Sequence, residues 1–128
     1  MKLLLDTHAF LWFIAGSSNL SDVARENIEA LENERYVSVA SAWEIAIKMS
    51  LGKLKTSAGF EEIIPAQLDL NAMNLLPISP RHLALVASLP FHHRDPFDRL
   101  ILAQSLVENI PVISVDSSFD SYGIQRIW

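Results

Sequence analysis

The residues of this chain that could do chemistry are acids, and there is no cysteine beside them. Asp6 ends the run "KLLL", Glu44 lies in "SAWEIAIK", Asp98 lies in "RDPFDRLILAQS", and Asp116 ends "PVISVD". A carboxylate next to a buried strand is costly unless something partners it, and clustered anions repel one another unless a cation holds them. An all-oxygen donor set without thiolates suits a hard cation, Mg²⁺ or Mn²⁺, which keeps several waters and takes its other oxygens from substrate phosphates. Such an ion orients and activates a water and neutralises charge on phosphoryl oxygens. Two of them, about 4 Å apart, would clamp both oxygens of an in-line displacement. Asp6, Glu44, Asp98 and Asp116 are therefore the candidate catalytic and metal-binding residues.

Each acid also has a plain structural reading. Asp6 suits the cap of a helix starting at Thr7, "SAWE" matches a capping box from Ser41 to Glu44, and Asp116 suits the turn "SSFD". Asp95 and Asp98 stand on either side of Pro96. Asp95 is the better cap, because Pro96 then takes the first helical position, and Asp98 is the better ligand.

The elements that must position these acids alternate between strand and helix. "KLLL" (2–5) reads as a strand buried on both faces, and "THAFLWFIA" follows with helical spacing. Ser21 or Asp22 opens a helix with Val23, Ile28 and Leu31 inward. Residues 35–41 read as a second strand, followed by a helix from Ala42 that Gly52 closes. A short helix breaks near Pro65, and 73–79 read as a third strand. Helices over "PRHLALVASL" and "FDRLILAQSLVEN" lead to a fourth strand at 111–116, and "IQRIW" closes the chain as a fifth. This order predicts an α/β fold with a largely parallel sheet. Ligands of such sheets bind beyond the carboxyl ends of the strands, where all four acids fall if the helix carrying Asp98 runs back against the strands.

The 128 residues suit one domain, 1–128, and half of them are hydrophobic. The apolar N-terminal run is interrupted by Asp6 and His8, and no stretch reaches the length of a membrane span, so a cytoplasmic location is expected. Fifteen acids against ten bases give a net charge of −5. That sign is awkward for a nucleic-acid binder and again asks for a bound cation.

"LLLDTHAFLW", "SVASAWEIAIKMSLGKL", "HRDPFDRLILAQS" and "PVISVDSSFDSYG", in this order, resemble the PIN-domain ribonucleases, in particular the VapC-type toxins of toxin–antitoxin pairs. The resemblance runs from Met1 almost to Trp128. It implies a three-layer α/β/α sandwich around a parallel five-stranded sheet, and an acidic cluster that binds Mg²⁺ or Mn²⁺ and hydrolyses RNA phosphodiesters. By position, Asp6, Glu44, Asp98 and Asp116 are similar to the family's four acids, with Asp120 a competitor for the fourth place. The resemblance also implies a small hydroxyl near the metal (Thr7, Ser38, Ser41 or Ser117), a homodimer, and an antitoxin partner whose C-terminal segment lies along a groove and often puts a basic side chain into the site.

The remaining notable residues read as structural. His92 and His93 are adjacent in a loop and project differently, with nothing else to support a zinc site. His8 is expected to pack in or near the core. Lys48 reads as an ordinary helix partner of Glu44, and Lys53 and Lys55 as solvated; the alternative is a phosphate track joined by Arg94 and Arg99. Trp12, Phe13, Trp43 and Met49 are expected mostly in the core. The competing function is a catalytically silent PIN scaffold that binds RNA or protein. A dehalogenase-type phosphatase would need an acid where His8 stands, and a receiver domain an N-terminal acidic pair that is not present.

Overall fold

Three consecutive leucines decide the architecture. In the computed structural model, which describes residues 1–54 and 56–128, β1 (Lys2–Leu5) buries Leu3, Leu4 and Leu5 completely. A strand buried on both faces needs cover on both sides of its sheet. β1 is central. It pairs with β2 (Glu34–Ser38) on one side and β4 (Val112–Ile113) on the other; β3 (Asn74–Leu76) lies beyond β2, and β5 (Arg126–Ile127) beyond β4. Every pairing is parallel, in the order β3-β2-β1-β4-β5.

Among the described residues the helices are α1 (Thr7–Ala15), α2 (Asp22–Glu29), α3 (Val39–Ser50), α4 (Phe60–Ile63), α5 (Ala66–Leu70), α6 (Pro80–Ser88) and α7 (Pro96–Glu108), with a 3-10 turn at Ser117–Tyr122. Leu3 and Leu5 join Phe10, Ala24, Ile28, Ile45 and Leu68 in one core. Leu4, pointing the other way, joins Ile101, Leu102, Val112 and Phe119 in a second. Two cores, one on each face of the sheet, make the expected three-layer α/β/α sandwich. No helix among the described residues is long and apolar enough to cross a membrane.

Several boundaries differ from the sequence-based expectation, each for a local reason. β2 stops at Ser38 and α3 begins at Val39, because the Ser38 hydroxyl accepts the Ala40 N–H at 2.9 Å and caps the helix. Glu44 therefore sits in the second turn of α3, and the box from Ser41 to Glu44 does not form. The third strand ends at Leu76, next to Pro77, which has no N–H for the ladder. The fourth ends at Ile113, because Asp116 N–H turns back onto Ser114 Oγ at 3.0 Å. α2 buries Ala24 and Ile28, one turn apart, while Val23 and Leu31 are exposed and Leu31 lies beyond the helix end.

Candidate active site

The chain leaves β1 for β2 on one side, while β4 adds on the other, so the carboxyl ends of β1 and β4 flank the switch point where such sheets open a crevice. Asp6 follows β1 directly. It caps α1, its Oδ1 accepting the Ala9 N–H at 2.8 Å, and is nearly fully buried. Burial pushes its carboxyl up, against hydrogen bonds from Ser114 and from the Ala9 N–H that pull it down. Ser114 directly follows β4, so this contact crosses the switch point. The cap and the candidate ligand are the same residue: capping fixes the carboxylate where the site needs it.

Glu44 is buried and held at both oxygens. The Thr7 hydroxyl donates to Oε1 at 2.8 Å and lies 2.9 Å from Ser41 Oγ, while Lys48 Nζ lies 2.7 Å from Oε2. Of the four candidate hydroxyls, Thr7 and Ser41 are therefore at the site. Ser38 bonds Gln104, and Ser117 is exposed.

α7 returns the chain to the start of β4, which sets its N-terminus at the carboxyl edge. Asp95 caps it, Oδ1 accepting from Phe97 N at 2.9 Å and from Asp98 N at 3.0 Å, with Pro96 in the first position. Asp98 carries the strain. Its carboxyl is pushed up to about 7 by burial first, then by the Asp95, Asp6 and Glu44 charges, with His93 working the other way. Asp116 caps the 3-10 turn: Oδ1 accepts from Ser118 N at 3.0 Å and from Ser118 Oγ at 2.6 Å, and Oδ2 lies 2.8 Å from His93 Nε2. Partial burial works to raise its carboxyl, but the Ser118 and His93 hydrogen bonds outweigh burial and hold it low. Asp120 faces elsewhere, exposed and paired with Arg126 at 2.9 Å.

His93 is the residue the sequence undervalued. The two histidines do project differently: His92 is exposed, edge-on to Tyr122, whereas His93 turns inward. Its ring nitrogen and one oxygen each of Asp98 and Asp116 lie within 4.8 Å of one another. The signal was its place two residues before the capping Asp95. Ser114 was also missed; a small hydroxyl ending a buried strand was its mark.

The proposed phosphate track changes shape. Arg99 is buried, its guanidinium donating to the carbonyls of Val86, Leu89, Pro90 and His93 at 3.0–3.3 Å, so it cannot reach a ligand. Arg94 is exposed, and Lys55 lies outside the described residues. His8 is exposed beside Trp12, and Trp43 is exposed against Phe97; neither is core. A groove of about 520 Å³ is lined by Thr7, His8, Trp12, Lys48, Lys53 and Ile63 among others, and so includes both partners of Glu44. The donors at the cluster are carboxylates, with two of them held against their preferred charge. That arrangement fits a divalent cation.

Residues 3–125 match the PIN domain family, and the chain belongs to it. PIN domains are generally nucleases. The fold is similar to VapBC2 from Rickettsia felis bound to a DNA fragment from their promoter, with a TM-score of 0.73 and 16% identity over 98% of this chain and 97% of that one. It is similar as well to FitAcB from Neisseria gonorrhoeae, with a TM-score of 0.70 and 18% identity over 97% and 95% of the two chains. VapBC-1 from nontypeable Haemophilus influenzae gives a TM-score of 0.70 and 18% identity over 98% and 96%. No curated protein sequence matches. The expected resemblance to VapC-type PIN proteins therefore holds at the level of family and fold.

Proposed function

We propose that this chain is a single PIN domain, 1–128, acting in the cytoplasm as a metal-dependent endoribonuclease and as the toxin of a toxin–antitoxin pair. The observation that carries this reading is the convergence of the acids: the charges of Asp95, Asp6 and Glu44 all bear on Asp98, and Asp116 bears on Asp6 and shares His93 with Asp98. Such a gathering of anions asks for a cation, and the raised Asp98 carboxyl accords with it. Asp6, Glu44, Asp98 and Asp116 would hold Mg²⁺ or Mn²⁺. The bound ion supplies an activated water and positive charge for the phosphoryl oxygens. The chain's own part is to fix the acids: Asp6 and Asp116 through the turns they cap, Glu44 through Thr7 and Lys48, and Asp98 through the Asp95 cap. Lys48 and Lys53 place positive charge along the groove, where an RNA phosphate can follow it into the site.

The antitoxin reading is supported by that groove, which is large enough for a peptide segment and is lined by Trp12 and Ile63 together with Thr7 and Lys48, the side chains that hold Glu44. Relatives in fold are complexes named VapBC and FitAcB, which favours a second protein there. The homodimer is supported by the exposed Trp43, which packs edge-on against the half-buried Phe97 beside the site.

The test is cleavage of end-labelled single-stranded RNA with Mg²⁺, with Mn²⁺ and with EDTA, for wild type and Asp98→Asn. Metal-dependent internal cuts that vanish in the variant support the reading. RNA binding without cleavage under every condition would make the protein a silent scaffold.

A further inference from the structure

We propose that His93 is a positioning residue of this site and not one of its ligands: its Nε2–H donates to Asp116 beside Asp98 and aims the Asp116 carboxylate. The inference rests on the nuclease reading above for what the carboxylates do. Its geometry stands independently.

The tautomer follows from the hydrogen-bond network. Nδ1 lies 3.2 Å from the Asp95 backbone nitrogen, and that N–H can only donate, so Nδ1 is the acceptor and the neutral ring carries its proton on Nε2. Nε2 then lies 2.8 Å from Asp116 Oδ2 and 3.3 Å from Asp98 Oδ2. A protonated Nε2 has no lone pair to give a metal. For His93 to be a ligand, the proton would have to move to Nδ1, where it would face the Asp95 N–H. The closeness of the three residues invites a metal trio, but the ring is turned the wrong way for one.

The ring is also more firmly held than a loop histidine needs to be. The edge-to-face contact with Phe119 has centroids 5.6 Å apart at 68°. The His93 backbone N–H donates to Tyr122 Oη at 2.8 Å, and its carbonyl accepts from Arg99 Nη1 at 3.3 Å. Asp116 needs such a guide. Its side chain is 36% exposed on a short 3-10 turn, and Ser118 takes Oδ1 only. His93 takes Oδ2, so the carboxylate cannot swing out to water.

Three variants and two spectroscopies test this. In His93→Gln the amide Nε2 reaches close to the imidazole Nε2, whereas in His93→Asn it falls short, and His93→Ala has no donor. Mn²⁺ affinity, followed by the EPR signal of free Mn²⁺, should fall roughly 10–100-fold in the alanine and asparagine variants and be largely restored in the glutamine variant. Pulsed EPR of the wild-type Mn²⁺ complex should lack the ¹⁴N coupling of a directly bound imidazole. Long-range ¹H–¹⁵N NMR of the metal-free protein should show the proton of neutral His93 on Nε2. A directly coupled ¹⁴N, a proton on Nδ1, or unchanged Mn²⁺ affinity in His93→Ala overturns the proposal. Wild-type protein that binds no Mn²⁺ defeats the metal-dependent nuclease reading instead, and the NMR tautomer then decides for His93.

Discussion

Lys48 Nζ lies 2.7 Å from Glu44 Oε2, one turn along α3, with the lysine side chain 40% exposed and the glutamate only 7%. The pair is asymmetric: a buried anion leans on a cation that can leave for water. The ammonium supplies positive charge to the buried carboxylate, and under the proposed metal-dependent reading it would give way if a divalent ion took that oxygen.

Lys48→Met should therefore act in opposite directions on two measurements. Metal-free stability should fall by roughly 1–2 kcal/mol, between the few tenths of an exposed pair and the larger cost of a stranded buried charge. Mn²⁺ affinity should rise, because a competing cation is gone. Thermal melts in EDTA and a Mn²⁺ titration check both, and weaker Mn²⁺ binding in the variant would show that the ammonium does not compete.

Asp98→Asn and Asp6→Asn should abolish RNA cleavage while leaving the metal-free fold as stable as wild type or more so. Each removes one of several mutually repelling, buried carboxylates. The check is melting in EDTA alongside cleavage in Mn²⁺. A lower melting temperature for Asp98→Asn would mean that its carboxylate is structural.

The raised Asp98 carboxyl makes metal-free stability depend on pH in an unusual sense. Its unfolded form titrates near pH 4, to order of magnitude, while the folded form titrates at about 7. Between these values the folded protein keeps a proton that the unfolded chain has released. Stability is therefore highest at the acid end of the window and declines as pH rises through it. Asp6, also raised, adds in the same sense, whereas Asp116 is lowered and acts only below the window. Melting temperature in EDTA should fall from pH 5 to pH 7.5, and Asp98→Asn should flatten the fall. Mn²⁺ binding should tighten across the same range, because it displaces that proton.

Asp95 does two jobs that can be separated. Asp95→Ala removes the cap of α7 and should cost about 1 kcal/mol while sparing most of the cleavage measured below the melting point. Asp95→Asn keeps a capping oxygen but removes the charge that helps to hold Asp98 protonated. It should weaken Mn²⁺ binding, because the charge that favours a proton on Asp98 favours a divalent cation more, and it should change stability little. Loss of cleavage in Asp95→Asn as complete as in Asp98→Asn would reverse the assignment of the pair.

The three layers and the carboxyl-edge placement of the acids were legible because β1 is uniformly apolar and the helices alternate with strands. What escaped was where the strands stop. Ser38 and Ser114 each turn the chain with a side-chain hydroxyl, and a hydroxyl that ends a strand is indistinguishable by type from one within it. Asp6, Asp95 and Asp116 could be read as caps or as site residues, and the structure shows that Asp6 and Asp116 cap their turns within the acid cluster. His93 was only faintly legible, from its place two residues before the capping Asp95, because its role depends on the path of a loop that Arg99 holds in place by being buried there and not by lining a phosphate track.

That Arg99 arrangement has a genetic consequence. One guanidinium satisfies carbonyls from the end of α6 and from the loop leading to α7, and a lysine, with fewer and differently directed donors, cannot do the same. In an unbiased screen for inactive variants, changes at Arg99 should appear beside those at the acids, although Arg99 never meets the substrate. The two groups should separate by temperature: cooling should rescue part of the activity of Arg99→Lys, whose loop is merely loosened, and none of that of Asp98→Asn.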